Sequence, residues 1–170
     1  MACRCELRDL SKLNGKKIFV DANILIYLFW PTGATNWENK YASAFARLKK
    51  QKNSLFIDFC VVSEVINRVI RIEWNRKQSG RSFKVFRDSR DGQKALSEIY
   101  TIVKDSILKN FDIIGMEYNK DDIESFLVVD ELDFNDKSAI KICKNNDFIL
   151  LTHDRDFEKS GIDIITALKP

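Results

Sequence analysis

Short apolar runs rich in branched residues alternate along this chain with longer amphipathic stretches, and that alternation restricts the fold more than any other feature. Lys17 to Asp21 carries apolar residues without polar ones between them, the pattern of a strand covered on both faces. Asn23 to Phe29 continues as a helix, which Pro31, Thr32 and Gly33 end. Trp37 to Gln51 repeats Tyr41, Phe45 and Leu48 at helical spacing, and Ser54 to Asp58 reads as a second strand. Val61, Val65 and Val69, with Ile66 and Ile70, make an i, i+4 stripe and so a third helix. Ala95 to Leu108 is a further amphipathic helix, Phe111 to Gly115 a third strand, and Lys120 to Leu127 a weaker helix. Asp136 to Asn145 reads as helical, with Phe148 to Thr152 and Ile162 to Thr166 as the fourth and fifth strands. Strands alternating with helices predict parallel βαβ units. The expected fold is therefore α/β, three layers (α/β/α) around a central, mostly parallel sheet of four to five strands.

No repeat, low-complexity tract or linker divides the sequence, which has only two prolines and six glycines. The most loop-like stretch is Gln78-Ser79-Gly80-Arg81-Ser82. Residues 1–170 are expected to form a single domain, with residues 1–16 as an N-terminal extension, and this length suffices for a sizeable core. No apolar run approaches the roughly 20 residues that span a bilayer, so no membrane association is expected. Met1-Ala2-Cys3-Arg4-Cys5-Glu6 lacks the apolar core of a secretory signal, which makes the cytoplasm the expected compartment. Cys3 and Cys5 are separated by one residue, too close for the usual zinc pair, and Cys60 and Cys143 sit within apolar helical patterns. Two buried thiols and two loose terminal ones are expected, rather than a metal or disulfide framework.

The net charge of +3 hides an asymmetry: residues 65 to 94 hold nine Lys/Arg and three Asp/Glu, while the remainder is net acidic. A basic segment against an acidic remainder suits a polyanionic partner met at one surface, although a solvated helical face explains such a run equally well. Trp74, Phe83 and Phe86 lie among those charges, where stacking on bases and ordinary core packing are both open.

Four carboxylates sit where the predicted elements would bring them to one edge of the sheet: Asp21, Glu64, Asp136 and Asp154. Asp21 and Asp154 follow strands, and in parallel sheets ligands bind beyond the carboxyl ends of the strands. Glu64 and Asp136 open apolar helices. Each also has a local explanation. Asp21 and Asp136 suit helix N-caps, with Asp133 a competitor for Asp136. Glu64 suits an i, i+4 pair with Arg68, on a face that also carries Arg71. Asp154 suits a turn, with Asp156 its competitor. Phe157 should turn inward and decide which of those two faces out. Gathered together, two carboxylates ~4 Å apart repel by roughly 4 kcal/mol at an effective dielectric of ~20. Such a cluster therefore implies a cation. His153, the only histidine, is expected to be exposed or supporting.

Val20-Asp21-Ala22-Asn23, Ser63-Glu64-Val65, Asn135-Asp136 and Thr152-His153-Asp154-Arg155-Asp156-Phe157 resemble, in this order, the motifs of the PIN-domain ribonucleases, and the likeness covers nearly the whole chain. Ala22 and Cys143 stand where that family more often has Ser or Thr and Ala. The resemblance implies a Mg²⁺- or Mn²⁺-dependent endoribonuclease with Asp21, Glu64, Asp136 and Asp154 as its acidic, metal-holding site. Asn23, Thr152 and Asp156 would support that site, and Arg68 and Arg71 would contact RNA. Small proteins of this kind are most often VapC-like toxins, which implies a homodimer and a cognate antitoxin. RNA maturation or decay, and a binding module that does not cut, are the alternatives. A phosphatase of the haloacid-dehalogenase type would need an aspartate two residues after its nucleophile, and position 23 is Asn.

Overall fold

A computed structural model describes residues 3–77, 80 and 82–169. Six strands form one sheet: β1 (Arg4–Glu6), β2 (Lys17–Val20), β3 (Ser54–Ile57), β4 (Asp112–Ile113), β5 (Ile149–Leu151) and β6 (Ile164–Thr166). Their order is β1-β6-β5-β2-β3-β4, and every pairing is parallel. The helices are α1 (Ala22–Phe29), α2 (Thr35–Lys50), α3 (Phe59–Lys77), α4 (Phe83–Arg87), α5 (Arg90–Ile102), α6 (Leu108–Asn110), α7 (Lys120–Phe126) and α8 (Phe134–Asn146). The α/β class is as expected, and the sheet is larger by a strand than the four to five predicted. The added strand, β1, lies in the stretch read as an extension. It pairs Arg4–Glu6 with Ile164–Thr166, and the 3-10 helix that follows it (Leu7–Lys12) drives Leu10 fully into the core. Three residues are too few to show a strand period, which is why the sequence concealed it.

β2 lies at the centre, with Ile18, Phe19 and Val20 buried between β3 and β5. Two-sided covering explains why its residues do not alternate. From β2 the chain proceeds outward to β3 and β4, then returns to the opposite side of β2 to lay down β5 and β6. Strand order thus reverses between β2 and β5, and a crevice opens past their carboxyl ends.

Three local differences have physical causes. The helix predicted over 95–108 begins earlier, at Arg90, where the Ser89 hydroxyl accepts the Gly92 amide, and passes into a π-helical turn (Val103–Ile107) that keeps Ile107 fully buried. β4 is only two residues long because it is an edge strand bonded to β3 alone, and both residues are exposed. Cys5 is fixed in β1 rather than loose, and Cys60 is half-buried while Cys143 is buried. Of the stretch read as most loop-like, Gln78, Ser79 and Arg81 lie outside the described residues. Phe86 is buried, and Trp74 meets Phe83 edge-on against the core, so these aromatics serve packing. No helix among the described residues is long and apolar enough to cross a membrane.

Candidate active site

The reversal point places the end of β2 beside the end of β5. Asp21 occupies the N-cap position of α1, but its side chain does not cap that helix. Asp21 Oδ2 instead accepts the Thr152 hydroxyl at 2.6 Å and the Asn23 amide at 2.7 Å. Thr152 is fully buried, and its Oγ1 also accepts the Asp154 backbone N–H at 3.0 Å. Asn23 Oδ1 accepts the His153 N–H at 3.1 Å. One hydroxyl and one amide therefore tie the first acid to the turn that carries the last.

Glu64 and Asp136 face the same cleft, which is lined by Phe19, Asp21, Asp58, Glu64, Asn135 and Asp136 among others. Burial is the main cause that pushes the Asp21 carboxyl up to about 6, against the Thr152 hydrogen bond; the Glu64 and Asp154 charges add to the push. Asp136 is pushed up to about 7, chiefly by burial, with further contributions from Asp133, Asp21 and Asp154. The Glu64 and Asp154 charges thus reach Asp21, and the Asp21 and Asp154 charges reach Asp136, although Asp154 itself does not line the cleft.

Each acid also makes the local contact that its sequence position suggested. Glu64 Oε1 pairs with Arg68 Nη1 at 3.0 Å. The N-cap of α8 is Asp133, and Asp136 is its capping-box partner: Asp136 accepts the Asp133 N–H at 3.1 Å and donates its own N–H to Asp133 Oδ1 at 2.9 Å. Asp154 Oδ1 accepts the Asp156 N–H at 3.0 Å in a turn. With their side chains engaged in this way, no three His, Cys, Asp or Glu side chains among the described residues are grouped to hold a metal ion. The donor chemistry nevertheless suits a hard divalent cation, since Asp21, Asp58, Glu64 and Asp136 present carboxyl oxygens to one cleft, and a cation there would favour the ionised forms that burial disfavours.

The remaining expected residues divide. Phe157 turns inward, and exposed Asp156 begins a 3-10 turn outside the cleft. Arg68 stands beside Glu64, whereas the Arg71 guanidinium lies 4.4 Å over the Phe83 ring, toward α4. His153 is half-buried rather than exposed: its Nδ1 is 2.8 Å from the Tyr41 hydroxyl, and its ring lies 4.5 Å from Trp37. Burial lowers its pKa. Tyr41 is fully buried, accepts the Ala167 N–H at 3.1 Å, and has its hydroxyl pushed up to about 12 by burial.

Sequence reasoning missed a fifth acid. Asp58 is 7% exposed, lines the cleft and accepts the Val61 N–H at 2.8 Å, starting α3. Burial raises its pKa. The signal was present: Asp58 follows β3 as Asp21 follows β2.

Fold and cleft together define an α/β protein with an acidic centre at the reversal point of a parallel sheet. The PIN-domain family profile matches residues 18–162, and the chain belongs to that family, whose members are generally metal-dependent nucleases. No curated protein matches in sequence. Among solved structures, PAE2754 from Pyrobaculum aerophilum is 18% identical, with a TM-score of 0.52 and coverage of 90% of this chain and 85% of that one. VapBC2 from Rickettsia felis, bound to a DNA fragment from their promoter, is 14% identical, with a TM-score of 0.53 and coverage of 88% and 98%. At these identities the likeness is one of fold.

Proposed function

We propose that this chain is a divalent-cation-dependent endoribonuclease that hydrolyses RNA phosphodiester bonds, as the toxin of a type II toxin–antitoxin pair. The observation that carries the chemistry is the gathering of Asp21, Asp58, Glu64 and Asp136, from distant parts of the chain, on one cleft, where burial first and neighbouring charge second raise the Asp21 and Asp136 carboxyls. Asp21, Glu64, Asp136 and Asp154 would hold Mg²⁺ or Mn²⁺, with Asp58 close by. The cation, when bound, supplies acidified water and a clamp for the phosphate oxygens. The chain's own residues set the stage. Thr152 and Asn23 fix the Asp21 carboxylate, Arg68 offers positive charge at the rim, and buried Thr152 keeps Asp154 in register. Arg71, further along the same helix, contacts the RNA backbone beyond the cleft and lends salt-sensitive affinity.

The toxin reading, an antitoxin partner, a homodimer and a cytoplasmic site of action rest on family membership and on the VapBC fold likeness. Cleavage of single-stranded RNA with Mg²⁺ or Mn²⁺, abolished by Asp136→Asn, is the expected result. Equal cleavage by that variant would remove the acid cluster from the chemistry. The local hydrogen bonds of Glu64, Asp136 and Asp154 favour one second reading, a PIN module that binds without cutting. It predicts RNA retention with no metal-dependent cleavage at all.

A further inference from the structure

Phe59 opens α3 immediately after Asp58 and is 80% exposed, the most exposed aromatic side chain among the described residues. It borders a hollow of about 300 Å³, with Cys60, Ser63, Glu64, Asn67 and Asn135. Cys60, Glu64 and Asn135 line the acidic cleft as well, so hollow and cleft adjoin across these three residues. The volume lies at the lower end of small-ligand pockets.

We infer that this hollow is a subsite for an unpaired nucleobase beside the scissile phosphate, with Phe59 as the stacking surface and Asn67 and Asn135 as the edge-reading groups. The inference rests on the nuclease reading of the adjoining cleft. None of the six lining side chains is cationic, and the one acid, Glu64, is paired with Arg68 at the rim, so the hollow itself offers a phosphate no charge partner and suits a neutral ring. An exposed aromatic face supplies sequence-tolerant stacking. A side-chain amide presents a donor and an acceptor side by side, which suits the edge of a base. The Asn135 amide has no hydrogen-bond partner among the described residues, and the Asn67 amide makes only a long contact, 3.4 Å, to the Ser63 hydroxyl. Stacking on Phe59 requires a base free of its duplex neighbours, so the subsite selects single-stranded over paired RNA at the cut.

The test uses the full chain and short RNA oligonucleotides carrying 2-aminopurine at successive positions. Steady-state cleavage with Mn²⁺ is measured for the wild type, Phe59→Ala and Phe59→Trp, and fluorescence on binding is read in the Asp136→Asn background. Phe59→Ala is expected to raise KM roughly five- to a hundred-fold with kcat little changed, the range set by stacking on one aromatic. It should also erase the fluorescence change at a single position next to the cut. Phe59→Trp should restore both. Unchanged KM, cut pattern and fluorescence in Phe59→Ala, with the wild type active, would overturn the subsite alone and leave Phe59 to a protein partner. A wild type that neither binds nor cuts these RNAs overturns the nuclease reading, and the subsite with it.

Discussion

Asp21 is the residue on which the site turns. Its carboxyl is raised while Thr152 and Asn23 donate to a single oxygen. An asparagine at 21 keeps a carbonyl for both donors and places an amide where the second oxygen meets the other acids. Asp21→Asn is therefore expected to raise the melting temperature of the cation-free protein at pH 7.5, by roughly 2–4 °C for each kcal/mol of repulsion relieved. It should also weaken the upward shift that Mn²⁺ gives the wild type. Calorimetric scans with and without Mn²⁺ check both, and a cation shift undiminished in the variant would count against Asp21 as a ligand. The pH dependence follows from the same groups. Asp21 and Asp136 have folded-state values raised to about 6 and about 7 from an ordinary 3.8, so the folded chain holds these protons more tightly than the unfolded chain. Their contribution is fully present below about pH 4 and is lost as pH rises through 6 and 7. Carboxyls held low by ion pairs, such as Asp122 and Asp130, act in the opposite direction but at lower pH; His153, lowered by burial, also opposes the trend as pH rises toward 6.5, one group against the two raised acids. Between pH 5 and 8 the cation-free protein is expected to melt at a lower temperature as pH rises, and Asp21→Asn should flatten the slope.

Among the elements, α8 and the α4–α5 corner carry the clearest consequences. Asp133 caps α8, and Asp136 leans back to complete the box. Asp133→Ala is expected to cost about 1 kcal/mol in urea unfolding, because the Asp136 N–H loses its side-chain acceptor while the backbone N–H at 133 stays bonded to the Asp136 carboxyl. At the corner, a Cβ on Gly92 would lie 2.1 Å from the Phe86 carbonyl oxygen and 2.7 Å from Arg87 Cα, both backbone atoms. Gly92→Ala thus forces α4 and α5 apart and should destabilise by roughly 1–3 kcal/mol, read from the same titration. The sequence disclosed elements in proportion to their length. α3 announced itself through Val61, Val65 and Val69, and β2 through an unbroken apolar run. β1 and α4 had no room for a period. The acids were legible because each adjoins a strong element. Asp58 ends a predicted strand just as Asp21 does and was passed over all the same, whereas Phe59 was not legible, because a single aromatic at a helix start carries no pattern.

At the scale of the molecule, the stretch before β2 is part of the sheet. Leu10 is fully buried, and β1 covers the edge of β6. Leu10→Ala is expected to cost about 2–5 kcal/mol, as for other large-to-small core changes, and urea titration measures it. The family motif begins at residue 18, so this outer strand is a feature that a motif search does not see. The two strands that frame the cleft are neighbours in space, yet Thr152 and Asp21 stand 131 positions apart in sequence. A growing polypeptide leaving the ribosome therefore has its first acid long before it has the hydroxyl that steadies it. The acidic cleft therefore comes together only after β5 has emerged, so a shorter nascent chain lacks the arrangement on which the proposed activity depends.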